Sequence, residues 1–130
     1  MVRKSMIVAA ATLLAPVAAG AHHPFAAFFD DSRMVKIQGE VEAYRFGNPH
    51  GSIVLKVQSR SGDTHMWRVE TSAPVTLQRR GWSRDTLKVG QKVMIEGWQA
   101  RNGQRYLRLR QAYDANGKPV VQQAFNTKDD

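Results

Sequence analysis

The sequence predicts an all-β domain with one short helix, arranged as a small OB-like barrel of five strands. Apolar and polar residues alternate with a period of two in five separate stretches, the mark of half-buried strands. One short helical stretch falls between the third and fourth of them. Three strands, a short helix and two strands is the OB-type order. An SH3-like barrel is the alternative, but it usually lacks so clear a helix at that point. Five strands of this size are too few to form a roomy interior cavity.

The first strand is read from Val35, with Val35, Ile37, Val41 and Ala43 on one side and Lys36, Gln38, Glu40 and Glu42 on the other. Gly39 interrupts the apolar side, where a strand bends or bulges. Phe46-Gly47-Asn48-Pro49-His50-Gly51 is a turn-rich loop. Ile53, Leu55 and Val57 mark the second strand, and SRSGD (Ser59 to Asp63) a hairpin turn. His65, Trp67 and Val69 share one face of the third. Ser72 is placed to cap the helix, Pro74 to start it and Gly81 to end it. Val93 and Ile95 open the fourth strand. Asn102-Gly103 signals a tight hairpin. Leu107 and Leu109 carry the core side of the fifth strand, Arg108 and Arg110 its outer side. Val120 to Gln123 is a candidate sixth strand. The expected core is Ile37, Val41, Leu55, Val57, Trp67, Val69, Val93, Ile95, Leu107 and Leu109. With no cysteine, the fold rests on packing alone.

Ahead of the barrel, Arg3 and Lys4 precede an uncharged apolar run, Met6 to Ala15, and Ala19-Gly20-Ala21 supplies the small residues an export peptidase reads. Together they make a signal peptide, residues 1–21. The apolar run is too short to span a bilayer, which takes about 20 residues. The expected localisation is therefore periplasmic or secreted. The expected divisions are an N-terminal arm at 22–34, the barrel at 35–124 and a frayed tail at 125–130. The net charge of +8 falls to +6 when Arg3 and Lys4 leave with the signal. A basic surface suits anionic partners. Export argues against nucleic acid and for a lipid, an anionic polymer or a protein of the cell envelope.

Three further stretches carry a family resemblance. AHHPF stands at the mature start, GEVEAYRFGNPHGSI in the middle, and WRVETSAPVTLQRRGWSRDTLKVGQKVMIEGW after it. In these the chain resembles domain-of-unknown-function family 6152, small exported bacterial proteins. RRGWSRDTL is the most specific piece. Pro24 stands where many relatives carry a serine and stiffens the segment after the histidines. The resemblance implies export and a small β-barrel, and no established activity.

Cleavage after Ala21 places a free amine on His22, beside the rings of His22 and His23. An α-amine with a pKa near 7.7–8.0 yields its proton to a metal at neutral pH. Amine and imidazole nitrogens together suit Cu(II). A copper brace needs one more histidine from the fold, and His50 in the first strand-connecting loop is the candidate; His23 and the amine form a local chelate otherwise. Cleavage two residues earlier leaves Gly20-Ala21-His22, a square-planar copper or nickel chelate. The competing reading is an unliganded polar terminus. Copper is thus the one candidate cofactor, with His22, His23 and His50 as candidate ligands. Phe25, Phe28 and Phe29 are read as a clamp holding the arm on the barrel. His65 is read as structural, with its ring hydrogen-bonded, and Met34, Met66 and Met94 as core filler.

Arg80, Trp82, Arg84, Arg108 and Arg110 make the other candidate surface, structural first and a binding face for an anionic partner second. No nucleophile elbow, zinc-protease pair, phosphate loop or dinucleotide fingerprint occurs, so the chain is not read as an enzyme.

Overall fold

The structure is a computed structural model, and it describes residues 24–129. One helical turn, α1 (Phe25–Phe28), leads into β1 (Phe29–Arg45); β2 (Ser52–Gln58), β3 (Thr64–Glu70), α2 (Pro74–Arg79), β4 (Lys92–Ala100) and β5 (Tyr106–Tyr113) follow. The five strands close into one barrel in the order β1-β2-β3-β5-β4. β3 and β5 pair in parallel and every other pair is antiparallel. The OB-like order expected from the alternating stretches and the intervening helix is the one observed.

β1 is long because it serves two neighbours. Its residues from Met34 to Glu40 pair with β4, and those from Glu40 to Arg45 pair with β2. Glu40 lies opposite both Lys92 and Lys56, at the corner. Gly39 is needed there because a Cβ would stand 2.4 Å from the Lys56 carbonyl oxygen. A bulge follows between Val41 and Ala43.

Inside lie Val41, Ile53, Leu55, Val69, Val93, Ile95, Leu107 and Leu109, all buried. Val57 and Trp67, expected in the core, are only partly buried and pack on its edge. Below them α2 inserts Leu77, and the segment after it inserts Trp82 and Leu87. Ala73, not Ser72, is the residue before α2, and it makes no side-chain cap. Buried Ser72 instead donates its hydroxyl to the Asp129 carbonyl oxygen. Gly81, at φ +89°, does end the helix.

Two expected boundaries move. β1 starts at Phe29, so the second half of the expected arm is strand. The tail from Phe125 to Asp129 is not frayed, because Phe125 is buried and the Asp129 carboxylate takes two hydrogen bonds from Arg80. Val120 to Gln123 forms no strand; only a single bridge, Tyr113 to Pro119, occurs there. At Asn102-Gly103 only the glycine has a positive φ, and five residues (101–105) separate the strands rather than two. Met34 and Met66 are exposed on the outer pleats of β1 and β3 and fill no core.

Candidate functional site

The loop between β1 and β2 ends against the end of β3. Gly51 makes this possible: its N–H donates to the Ser72 carbonyl and its own carbonyl accepts from Thr71 N–H at 3.0 Å. A Cβ on Gly51 would lie 2.5 Å from Thr71 Oγ1 and 2.7 Å from the Arg45 carbonyl oxygen. The demand is for space and not for an unusual φ, since Gly51 is not among the glycines of positive φ. The Asn48–Pro49 peptide is cis. Arg45 braces the loop by donating to the carbonyl oxygens of Asn48 (2.8 Å) and His50 (3.4 Å).

So held, His50 puts Nδ1 3.1 Å from Oε1 of Glu70, the last residue of β3. The same oxygen accepts from Arg108 Nη1 at 2.9 Å, and Oε2 accepts the Tyr106 hydroxyl. One carboxylate therefore organises a histidine from the β1–β2 loop and an arginine and a tyrosine from β5. Parallel pairing of β3 with β5 produces this, setting Arg68 opposite Tyr106 and Glu70 opposite Arg108. Burial, and then the neighbouring Glu70 carboxylate, push the Tyr106 hydroxyl well above its ordinary pKa.

The N-terminal clamp meets the same group. Phe25 stands edge-on to Trp98 at 5.3 Å and lies 5.6 Å from Phe29, whose ring lies 5.2 Å from Tyr106. Arg101 Nε donates to the Ala26 carbonyl oxygen at 2.7 Å. Phe25 and Phe29 act as the clamp expected of them, whereas Phe28 is about half exposed. A cleft of about 260 Å³ opens beside Tyr106, lined by Arg45, Pro49, His50, Ser52, Arg68 and Glu70 among others.

The other candidate ligands, His22 and His23, lie outside the described residues. Among the described residues no group of three His, Cys, Asp or Glu is placed to hold a metal. The His65 ring has no hydrogen-bond partner among them, contrary to expectation.

The basic candidates do not form one open face. Arg108 points outward from β5 as expected, yet it is 4% exposed, because the C-terminal segment covers it. It donates to Glu70, the Thr71 carbonyl, Ser72 Oγ and the Asp129 carbonyl. Trp82 is buried and so not open to a partner; its indole N–H has no acceptor among the described residues. Arg80 is paired with Asp129, and Arg110 with Glu96. Arg84 alone of the five is exposed, and it spends one N–H on the Phe46 carbonyl at 3.1 Å.

Fold and site together define a small OB-like barrel with a carboxylate-centred polar cluster at the mouth of its first loop. The chain belongs to a family of unknown function, DUF6152, whose model matches residues 10–108. No curated protein matches it. Among solved structures it is similar to the mitochondrial single-stranded DNA-binding protein Rim1 of S. cerevisiae. That likeness has 13% identity and a TM-score of 0.49, and covers 64% of this chain and 93% of that one. No helix among the described residues is long and apolar enough to cross a membrane.

Proposed function

We propose that this is an exported binding protein that holds copper through His50 and a mature N-terminal histidine, His22, and catalyses nothing. The observation that carries the reading is the His50–Glu70 pair. A metal-binding histidine characteristically donates its second ring N–H to a carboxylate, which fixes its tautomer and raises its basicity. Nδ1 stands 3.1 Å from the Glu70 carboxylate, which leaves Nε2 as the donor atom for a metal. The Phe25–Phe29 clamp supports the same reading, because it brings the start of the described chain onto the Tyr106 wall that also holds Glu70. The amine and ring of His22 supply the remaining nitrogens, with His23 as a local substitute. Such a donor set favours Cu(II).

The test is an intact mass of the exported protein followed by a copper titration read by electron-spin resonance. A mass starting at His22 and a nitrogen-rich Cu(II) signal that changes in His50→Ala are expected. A start at His23, or a spectrum indifferent to His50, overturns the shared site.

A further inference from the structure

We propose that the cleft beside His50 is an oxyanion site that grips a carboxylate or phosphate group on the edge of Arg68. The proposal goes beyond the copper reading and does not depend on it.

Arg68 is exposed, and its guanidinium carbon stands 5.5 Å from the centre of the Tyr106 ring. That ring cannot drift, since its hydroxyl is bound to Glu70 and Phe29 packs at 5.2 Å. A guanidinium held over a fixed aromatic face by cation–π attraction is restricted in where it can turn. No side-chain N–H of Arg68 has an acceptor among the described residues. A planar fork of free donors matches the two oxygens of a carboxylate or phosphate.

The surrounding charge favours the same ligand. Arg45 also lines the cleft, and its hydrogen bonds go to backbone carbonyls, which leave its charge uncancelled. Glu70, the one acid in the lining, is neutralised by Arg108 at 2.9 Å. Two uncompensated cations at a concave surface concentrate anions there. Ser52 and His50 add polar groups. A volume of about 260 Å³ lies below the range of about 300–1,000 Å³ usual for larger organic ligands, so a small anion or a single headgroup is the fitting occupant.

The experiment uses the full exported chain, stripped of metal, with the backbone N–H resonances of Ser52 and Tyr106 beside the cleft, and of Arg60 as a remote reference, followed by NMR. Sodium phosphate and sodium acetate are added in turn while chloride keeps the ionic strength constant. A saturable shift in the millimolar range is expected. Arg68→Gln should abolish saturation, and Arg68→Lys should weaken it about fivefold or more, since an ammonium has no fork. Arg60→Gln, at an exposed arginine in the β2–β3 turn, should change nothing. Sedimentation with phosphatidylglycerol vesicles separates the sources: pelleting that needs Arg68 assigns the anion to a lipid headgroup, and saturation by free anions alone assigns it to a soluble ligand. A linear shift shared with Arg60, or unchanged saturation in Arg68→Gln, overturns the proposal. Because no metal is present, a failed copper titration and a failed anion titration are separate results.

Discussion

Oε1 of Glu70 lies 3.1 Å from Nδ1 of His50 and 2.9 Å from Nη1 of Arg108. One oxygen thus orients a partly exposed ring at the cleft and compensates a charge buried beneath it. If His50 is a copper ligand, His50→Ala should weaken copper binding at least tenfold, about 1.4 kcal/mol. Competition titration against a chelator of known affinity reads this directly. Unchanged affinity would leave only a chelate made by the terminus.

Glu70→Ala should do more than His50→Ala to stability. It takes the Glu70 carboxylate away from the buried Arg108 guanidinium and removes the acceptor of Tyr106. Removing one member of a buried pair costs about 3–5 kcal/mol. Arg108 keeps its bonds to Thr71, Ser72 and Asp129, and Glu70 is partly wet, so about 2–3 kcal/mol is expected. Glu70→Gln, which can still accept from Arg108, should lose less. Urea unfolding of the two variants checks the order; equal losses would mean that the carboxylate charge is unimportant.

Two half-buried tyrosines, Tyr44 and Tyr106, predict a loss of stability in alkali. Burial pushes Tyr44 up to about 12, and Tyr106 is raised as well, from an ordinary value of 10.0. The folded state therefore holds these protons more tightly than the unfolded chain does. The stabilisation is complete below pH 10 and, for Tyr44, is lost as the pH climbs from about 10 to about 12. Denaturant midpoints should be flat with respect to these groups up to about pH 9.5 and fall beyond it. Tyr106→Phe should make that fall shallower. The same slope in the variant would show that Tyr106 titrates normally.

The strands were readable because a half-buried strand prints its period of two locally, and Leu107 and Leu109 or Val93 and Ile95 need no distant partner to declare themselves. The start of β1 was hidden because Asp30 to Arg33 is an unbroken polar run, spanning a register irregularity between Phe29 and Met34. His50 stood out through its Gly and Pro neighbours. Glu70, Tyr106 and Arg68 were missed as site residues, since each is one polar position in an ordinary strand pattern. They acquire a role only when β3 and β5 pair in parallel, a relation with no local signal. The outward direction of Arg108 was correct, but its burial depends on chain beyond Ala124 that sequence reading expected to be loose.

That tail supplies the last test. Phe125 is 3% exposed, its ring lies 6.2 Å from Trp82, and Arg80 stands over it at 5.8 Å. Its N–H donates to the Arg110 carbonyl at 2.8 Å, which fixes the segment to β5. Truncating a buried phenylalanine costs about 3–5 kcal/mol where the cavity cannot collapse. Near a chain end the segment can partly relax, so Phe125→Ala should cost about 3 kcal/mol. A surface residue in a frayed tail would change stability by no more than about 0.5 kcal/mol. Asp129→Asn keeps the backbone contact to Arg108 and weakens the pair with Arg80 and the hydrogen bond from Asn126 N–H. Its cost should be about 1 kcal/mol, as befits a partly exposed pair. Equilibrium unfolding in urea separates the cases: a loss under about 0.5 kcal/mol for Phe125→Ala would return the tail to solvent and remove the cover from Arg108.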